Sequence, residues 1–233
     1  MTVETVGLLR RVGSEFLGSA LLAAVVVGSG AMAQALTEDV ALMLTINAIA
    51  TVFGLYILIL ILGPIGGAHF NPVVTLVAVA IDNRPARDLL SYLPAQIIGC
   101  IGGAVLANLM FEQPAIAWSG HDRATPAHLL AEVVATAGLI LVIFLLVRGD
   151  RTRNVPAAVA AFIGAAYFFT SSTSFANPAI TIGRMFTDTF AGIAPGAAPL
   201  FIGAQIVGAS LGALLAVALS PRRQRQQRAL TLQ

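Results

Sequence analysis

The sequence predicts an all-α membrane protein with six transmembrane helices and two re-entrant half-helices. Of its 233 residues, 58% are hydrophobic and only 10% are charged, and the mean hydropathy is +0.88. A soluble domain usually carries about 25% charged residues. The chain also contains long charge-free runs, two of which are interrupted by an Asn-Pro pair. A surface with so few charges would aggregate in water, so the chain is predicted to lie in a lipid bilayer.

Six spans are predicted from the charge-free runs, because one crossing needs about 20 apolar residues. The runs are 16–36, 40–81, 89–111, 133–147, 154–183 and 189–221. The fourth is extended back to residue 127, because Glu132 interrupts an otherwise apolar helical pattern. The second and fifth runs are much longer than one crossing. Each is therefore predicted to hold a full span, a break and a short second segment.

The two breaks are predicted from their Gly, Pro, Ser and Thr content. They cover 63–70, directly before Asn71-Pro72, and 170–176, directly before Asn177-Pro178. Asn followed by Pro is typical of an N-cap and the first helical position. Unwound backbone at membrane depth is tolerated only where it lines a water-filled cavity or is buried in protein. Each Asn-Pro pair is therefore predicted to begin a half-helix inside the membrane.

The basic residues predict the orientation. All 13 are arginine; Arg123 and Arg184 fall on one side of the predicted membrane, and the other 11 fall on the side of the two termini. Arginine is enriched in cytoplasmic segments, so both termini are predicted to be cytoplasmic. The basic tail 222–228 is expected to anchor the last helix to anionic lipid headgroups, in preference to binding nucleic acid.

The two halves of the chain resemble each other. Three features recur in the same order: Glu15 and Glu132, Asn71-Pro72 and Asn177-Pro178, and the similar segments 95–99 and 204–208. Each half has an odd number of spans, so the second half must enter the membrane from the opposite face. The chain is thus predicted to be one transmembrane channel domain over 1–233, with inverted repeats at about 10–110 and 127–220. Such repeats place the functional site near the midplane, where the two half-helices would meet by their positive N-terminal ends.

These features resemble the aquaporin, or major intrinsic protein, family over about residues 10–220. The resemblance rests on the six spans, the paired Asn-Pro half-helices, the two glutamates and the Gly-Gly-x-His-x-Asn-Pro segment at 66–72. It implies that Asn71 and Asn177 donate hydrogen bonds to a solute in single file, while carbonyls of 66–70 and 172–176 accept from it. The implied pore motifs are Asn71, Pro72, Val73, Asn177, Pro178 and Ala179. The resemblance also implies that Glu15, Glu132 and His69 brace the loops, and that the protein is a homotetramer.

Two positions depart from the family pattern. Val73 stands where the family usually has alanine, and Ile180 stands where it usually has the arginine of the outer constriction. Carried over by spacing, the other constriction positions are Thr51, Ala165 and Ser174. This selectivity filter is small and weakly polar, so it is expected to be wider and less hydrophilic than a water-selective one. In this the chain resembles bacterial aquaglyceroporins linked to arsenic handling.

Arg184, one helical turn beyond Ile180, has two possible roles. It could restore positive charge at the outer mouth, or it could pair with Asp188 at i+4.

The predicted function is a passive channel for small uncharged solutes in the bacterial inner membrane, where the chain crosses several times. The solutes are glycerol-like polyols, metalloid hydroxides such as arsenite, and water. The alternatives are a water-selective aquaporin or an anion or ion channel on a related inverted-repeat scaffold. No enzymatic activity, cofactor, metal or nucleic-acid partner is predicted, because no Ser/His pair, metal-ligand cluster or paired carboxylates occur at membrane depth.

Overall fold

A computed structural model describes residues 6–82 and 84–220, and α-helices dominate this part of the chain. Short 3-10 turns lie at Thr152–Asn154 and Arg184–Phe186. The α-helices are α1 Leu8–Leu36, α2 Val40–Gly66, α3 Pro72–Ile81, α4 Ala86–Met110, α5 Pro126–Arg148, α6 Val155–Phe169, α7 Pro178–Gly183 and α8 Ala198–Leu219. The predicted all-α class is confirmed. The basic tail 222–228 lies outside the described residues.

Five of the described helices are long and apolar enough to cross a membrane: α1, α2, α4, α5 and α8. The fifth predicted span is shorter, because α6 has 15 residues. It ends where the backbone of Thr170 turns to an extended conformation and the Thr170 hydroxyl donates to the Ala166 carbonyl at 2.6 Å. The chain then runs as an unwound segment to Asn177, where α7 begins.

The first unwound loop begins later than predicted. The prediction placed the break at residue 63, whereas α2 continues through Pro64 to Gly66. Gly67 ends the helix: it adopts a φ of 102°, which favours glycine, and its N–H donates to the Gly63 carbonyl at 3.0 Å. A proline in the last turn removes one hydrogen bond without preventing the following residues from staying helical.

Close helix pairs form the frame of each half. α1 packs along α4, and α5 packs along α8. Glycines permit the short separations: a Cβ at Gly103 would lie 2.0 Å from the Ala20 carbonyl oxygen, and one at Gly212 would lie 2.5 Å from that of Ala137. The half-helices α3 and α7 each contact both α4 and α8. Both half-helices are therefore held by helices from the two halves of the chain.

The start of α1 and the end of α8 lie at the same end of the bundle, which is called the terminal end below. The Arg11 Nη1 and Asp88 Oδ2 atoms form a buried ion pair at 2.8 Å, which joins α1 to α4. Arg148 donates to the Ile81 carbonyl and to the Ser220 hydroxyl, both at 3.0 Å, which joins α5 to the ends of α3 and α8.

We predict that Gly103→Val destabilises the fold by about 1–3 kcal/mol, because the side chain must force α1 and α4 apart. The measurement is the midpoint of thermal unfolding in detergent. Gly102→Val is the matched control, since a Cβ at Gly102 meets nothing within 4 Å. Equal midpoints for the two variants would show that the close α1–α4 contact is not needed.

Candidate pore

The two unwound loops are each held by one buried glutamate. The Glu15 carboxylate accepts from the backbone N–H groups of His69 at 2.9 Å and Phe70 at 2.7 Å. The Glu132 carboxylate accepts from those of Phe175 and Ala176, both at 2.9 Å, and from the Ser172 hydroxyl at 2.7 Å. Backbone N–H groups that a helix or sheet would otherwise satisfy are thus satisfied by carboxylate oxygens.

A second layer of side chains orients each glutamate. The Gln96 Nε2 atom donates to Glu15 at 2.8 Å and to the Thr75 hydroxyl at 3.0 Å. In the other half, the Gln205 Nε2 atom donates to Glu132 at 2.7 Å and to the Thr181 hydroxyl at 2.9 Å. Sequence analysis did not assign roles to these residues. The signal was present, since both glutamines lie in the repeated segments 95–99 and 204–208.

The loop backbone is strained at matching positions. Ala68 and Phe70 have φ of 51° and 47°, and Ser174 and Ala176 have φ of 54° and 47°. Non-glycine residues adopt this left-handed region at a cost of about 1–3 kcal/mol each, and only where the surroundings impose it. Here the glutamates bind the loop N–H groups on one side. The loop carbonyls therefore face away from the glutamates.

The asparagines join the two half-helices. The Asn71 Nδ2 atom donates to the Ala176 carbonyl, and the Asn177 Nδ2 atom donates to the Phe70 carbonyl, both at 2.8 Å. Each side-chain oxygen also caps its own half-helix: that of Asn71 accepts from the Val73 N–H at 3.1 Å, and that of Asn177 from the Ala179 N–H at 3.0 Å. Each asparagine therefore fixes its own helix start and the opposite loop together.

A cavity of about 1080 Å³ runs past both asparagines. At the terminal end it is lined by Asp82, Arg84, Thr152 and Arg153, and towards the opposite end by Thr51, Tyr167, Ile180 and Arg184. His69, Phe70, Ser174 and Ala176 line it between these ends. The remaining predicted motif residues are buried but do not line it: Pro72, Val73, Pro178 and Ala179. A single cavity thus contacts Asn71, Asn177 and the strained loops.

His69 contributes to loop packing. Its Nδ1 atom lies 3.0 Å from the Thr75 hydroxyl, and its ring packs edge-on against Tyr92 with centroids 5.7 Å apart.

The filter positions predicted by spacing are only partly brought together. Thr51, Ser174 and Ile180 are buried and line the cavity. Ala165 was assigned wrongly: it lies on an exposed face of α6, and Tyr167 lines the cavity instead, with its hydroxyl 3.0 Å from that of Thr51. A helix turns by about 100° per residue, so an error of two residues in the assumed spacing moves a side chain to the other face.

Arg184 lies in the wall of the cavity and is only 3% exposed. Its Nε atom donates to the Ala191 carbonyl, and its Cζ atom lies 3.4 Å from the centre of the Phe175 ring. The predicted alternative, a pair with Asp188, is not observed. The Asp188 carboxylate instead accepts from the Gly120 N–H at 2.9 Å and lies 3.9 Å from His121.

Comparison with known families shows which family the chain belongs to. The sequence pattern of the family described as "Major intrinsic protein" matches residues 2–175. The chain belongs to the major intrinsic protein family. This is a family of membrane channels, so the predicted assignment to a channel for small solutes is confirmed.

Two relatives align over most of this family member. It is 48% identical over 217 residues to "Aquaglyceroporin AqpS" of Rhizobium meliloti (strain 1021), covering 93% of each chain. It is 30% identical over 230 residues to "Aquaporin Z" of Brucella melitensis, covering 89% of this chain and 96% of the relative. The crystal structure of the aquaglyceroporin from Plasmodium falciparum has the same fold, with a TM-score of 0.66 and 20% identity over 95% of this chain and 99% of that one.

We predict that Glu132→Ala abolishes solute flux while the helices still form. The substitution leaves the N–H groups of Phe175 and Ala176 buried without an acceptor, at about 1–3 kcal/mol for each. Flux is measured in proteoliposomes and helix content by circular dichroism. Glu112→Ala, at an exposed carboxylate outside the cavity wall, is the control and is expected to behave like the wild type. Unchanged flux in Glu132→Ala would mean that the second loop does not depend on this carboxylate.

Proposed function

We propose that the chain is a passive channel for small uncharged solutes, which include glycerol-like polyols, metalloid hydroxides such as arsenite, and water. We place it in the bacterial inner membrane with both termini cytoplasmic. The observation that carries the proposal is the pair Asn71 and Asn177, which line one cavity and are each fixed by the loop of the other half.

The amide groups give the centre of the passage its hydrogen-bond donors. An asparagine amide carries two N–H bonds. In Asn71 and Asn177 one N–H is taken by the opposite loop carbonyl and the side-chain oxygen caps the helix. The second N–H has no partner in the described part of the chain, so it is available to a solute hydroxyl. Loop carbonyls beside these amides supply acceptors, and a neutral hydroxyl compound can therefore exchange water for protein hydrogen bonds at little cost.

Cations are disfavoured at the same point. The N-terminal ends of α3 and α7 both lie at the asparagines, and each helix end carries partial positive charge. No carboxylate lines the cavity between Asp82 at the terminal end and the asparagines, or beyond them, in the part of the chain that the structure describes. A dehydrated cation therefore finds no compensating negative charge.

The cavity beyond the asparagines has one polar and one apolar wall. The Thr51 and Tyr167 hydroxyls lie together, and Ile180 presents a hydrocarbon surface to the same cavity. A polyol has hydroxyls on one edge and C–H groups on the other, so such a surface fits it better than a wholly hydrophilic ring does. The name of the Rhizobium relative, an aquaglyceroporin, supports the same solute class.

The homotetramer and the division into inverted repeats at about 10–110 and 127–220 are part of the proposal. The repeats are supported by the matching contacts of Glu15 with Gln96 and of Glu132 with Gln205. Apolar side chains on the outer faces of α2, α4 and α8 are exposed, which suits contact with lipid or with neighbouring subunits.

The test is flux through purified protein in proteoliposomes, measured separately for water, glycerol and arsenite together with membrane current. The proposal expects passage of all three solutes without measurable current. Rapid water flux with exclusion of glycerol and arsenite would favour a water-selective aquaporin, and single-channel current would favour an ion channel.

We predict that Ile180→Arg reduces glycerol and arsenite flux by about tenfold or more and changes water flux by no more than about threefold. An added guanidinium narrows the cavity beside position 180 and replaces its apolar wall with donors that suit water. Ile180→Val is the control, because it keeps the apolar wall and should keep glycerol flux. An equal loss of water and glycerol flux in Ile180→Arg would argue that residue 180 does not set solute size.

A further inference from the structure

The cavity wall contains an arginine at a position that the family pattern does not assign to the constriction. Arg184 follows Ile180 by four residues, and the 3-10 turn Arg184–Phe186 continues directly from α7. Four residues of α-helix advance the backbone by about 6 Å along the axis. The backbone of Arg184 therefore lies one turn farther from the asparagines than that of Ile180, while its guanidinium lies on the ring of Phe175, in the loop before Asn177.

Arg184 carries its charge without a direct ion pair. No ion pair in the described part of the chain includes this residue. The Glu132 carboxylate, which is close enough to interact with it electrostatically, is occupied by the loop N–H groups, Ser172 and Gln205. A buried arginine is ordinarily paired with an acid, so an unpaired one in the wall of a cavity calls for a functional explanation.

The guanidinium is also held in a fixed place. It lies on the Phe175 ring, and that ring packs edge-on against Phe201 with centroids 5.2 Å apart. The Phe175 N–H is itself fixed by Glu132 at 2.9 Å. The Nε atom donates to the Ala191 carbonyl, while the two terminal nitrogens have no hydrogen-bond partner among the described residues. Their N–H groups remain available to whatever occupies the cavity.

We propose that Arg184 is the charge-selecting residue of this channel and takes over that role from position 180. The inference rests on the proposed function. Its guanidinium places a unit positive charge beside the passage, which repels sodium and hydronium ions, and its terminal N–H groups donate to hydroxyls of neutral solutes. The charge thus comes from a residue one helical turn after position 180, and the cavity wall at Ile180 stays apolar for larger solutes.

Arg123 provides a matched control at the same end of the bundle. Its Cζ atom lies 5.6 Å from the centre of the Phe175 ring, but the residue does not line the cavity. Its Nε and Nη2 atoms donate to the carbonyls of Gly192 at 2.8 Å and Phe190 at 2.9 Å. Burial lowers the pKa of its guanidinium, although the negative charge of Glu132 opposes this shift. Because Arg123 is near Phe175 but outside the cavity wall, it tests whether any positive charge at this end of the bundle can exclude cations.

The experiment compares proton and sodium leak with glycerol flux in proteoliposomes for the wild type, Arg184→Leu, Arg184→Lys and Arg123→Leu. We expect Arg184→Leu to raise cation leak by about tenfold or more, since a unit charge at contact distance interacts strongly even at an effective dielectric constant of about 20. Arg184→Lys and Arg123→Leu should stay within about threefold of the wild type. The double variant Ile180→Arg with Arg184→Leu should restore low leak, which also shows that loss of Arg184 does not unfold the chain.

The outcomes separate this inference from the proposed function. If the wild type passes glycerol and Arg184→Leu leaks no more cations than it does, the inference is overturned and the channel function stands. An equal rise in Arg123→Leu would also overturn it, because the effect would not belong to the residue in the wall. A wild type that passes no neutral solute would refute the proposed function itself.

Discussion

Two hydrogen bonds, from the Asn71 amide to the Ala176 carbonyl and from the Asn177 amide to the Phe70 carbonyl, connect the halves of the molecule at its centre. Each asparagine caps its own half-helix, and each unwound loop ends where the other asparagine holds it. The glutamates act on the same loops from behind by accepting their N–H groups. Backbone that would be too costly inside a bilayer is thereby satisfied on one side by carboxylates, while it lines a passage on the other.

This arrangement separates the groups that maintain the passage from those that select the solute. The two glutamates, Gln96, Gln205 and their threonine partners lie behind the loops, and none of these residues lines the cavity. Side chains that line the cavity, such as Ile180, Tyr167 and Arg184, select the solute. The loop structure does not depend on a particular residue at position 180, so an apolar side chain can stand there without loss of the fold. The charge can then be supplied from a neighbouring turn.

Sequence reasoning succeeded where the chemistry is local. An Asn-Pro pair specifies a helix start by itself, and α3 and α7 begin where the sequence predicted. It failed where the answer depends on the phase of a helix or on distant partners. Ala165 was assigned by its spacing from Asn177, whereas Tyr167 lines the cavity. The end of α2 was predicted at residue 63, whereas Gly67 ends the helix. The orientation of the Arg184 side chain depends on a 3-10 turn and on the hydrogen bond that the Gly120 N–H donates to Asp188. Neither feature can be predicted from the residues next to Arg184 in the sequence.

The most direct test of the central claim is a crystal structure of the purified protein grown in glycerol. We predict that each asparagine amide lies within hydrogen-bond distance of the carbonyl in the opposite loop. We also predict that the electron density of a polyol or a file of waters touches both amides. Asn71 and Asn177 lying far apart, or both facing packed protein with no passage beside them, would contradict this arrangement. In that case the fold would remain that of the family, but its centre could not conduct as described.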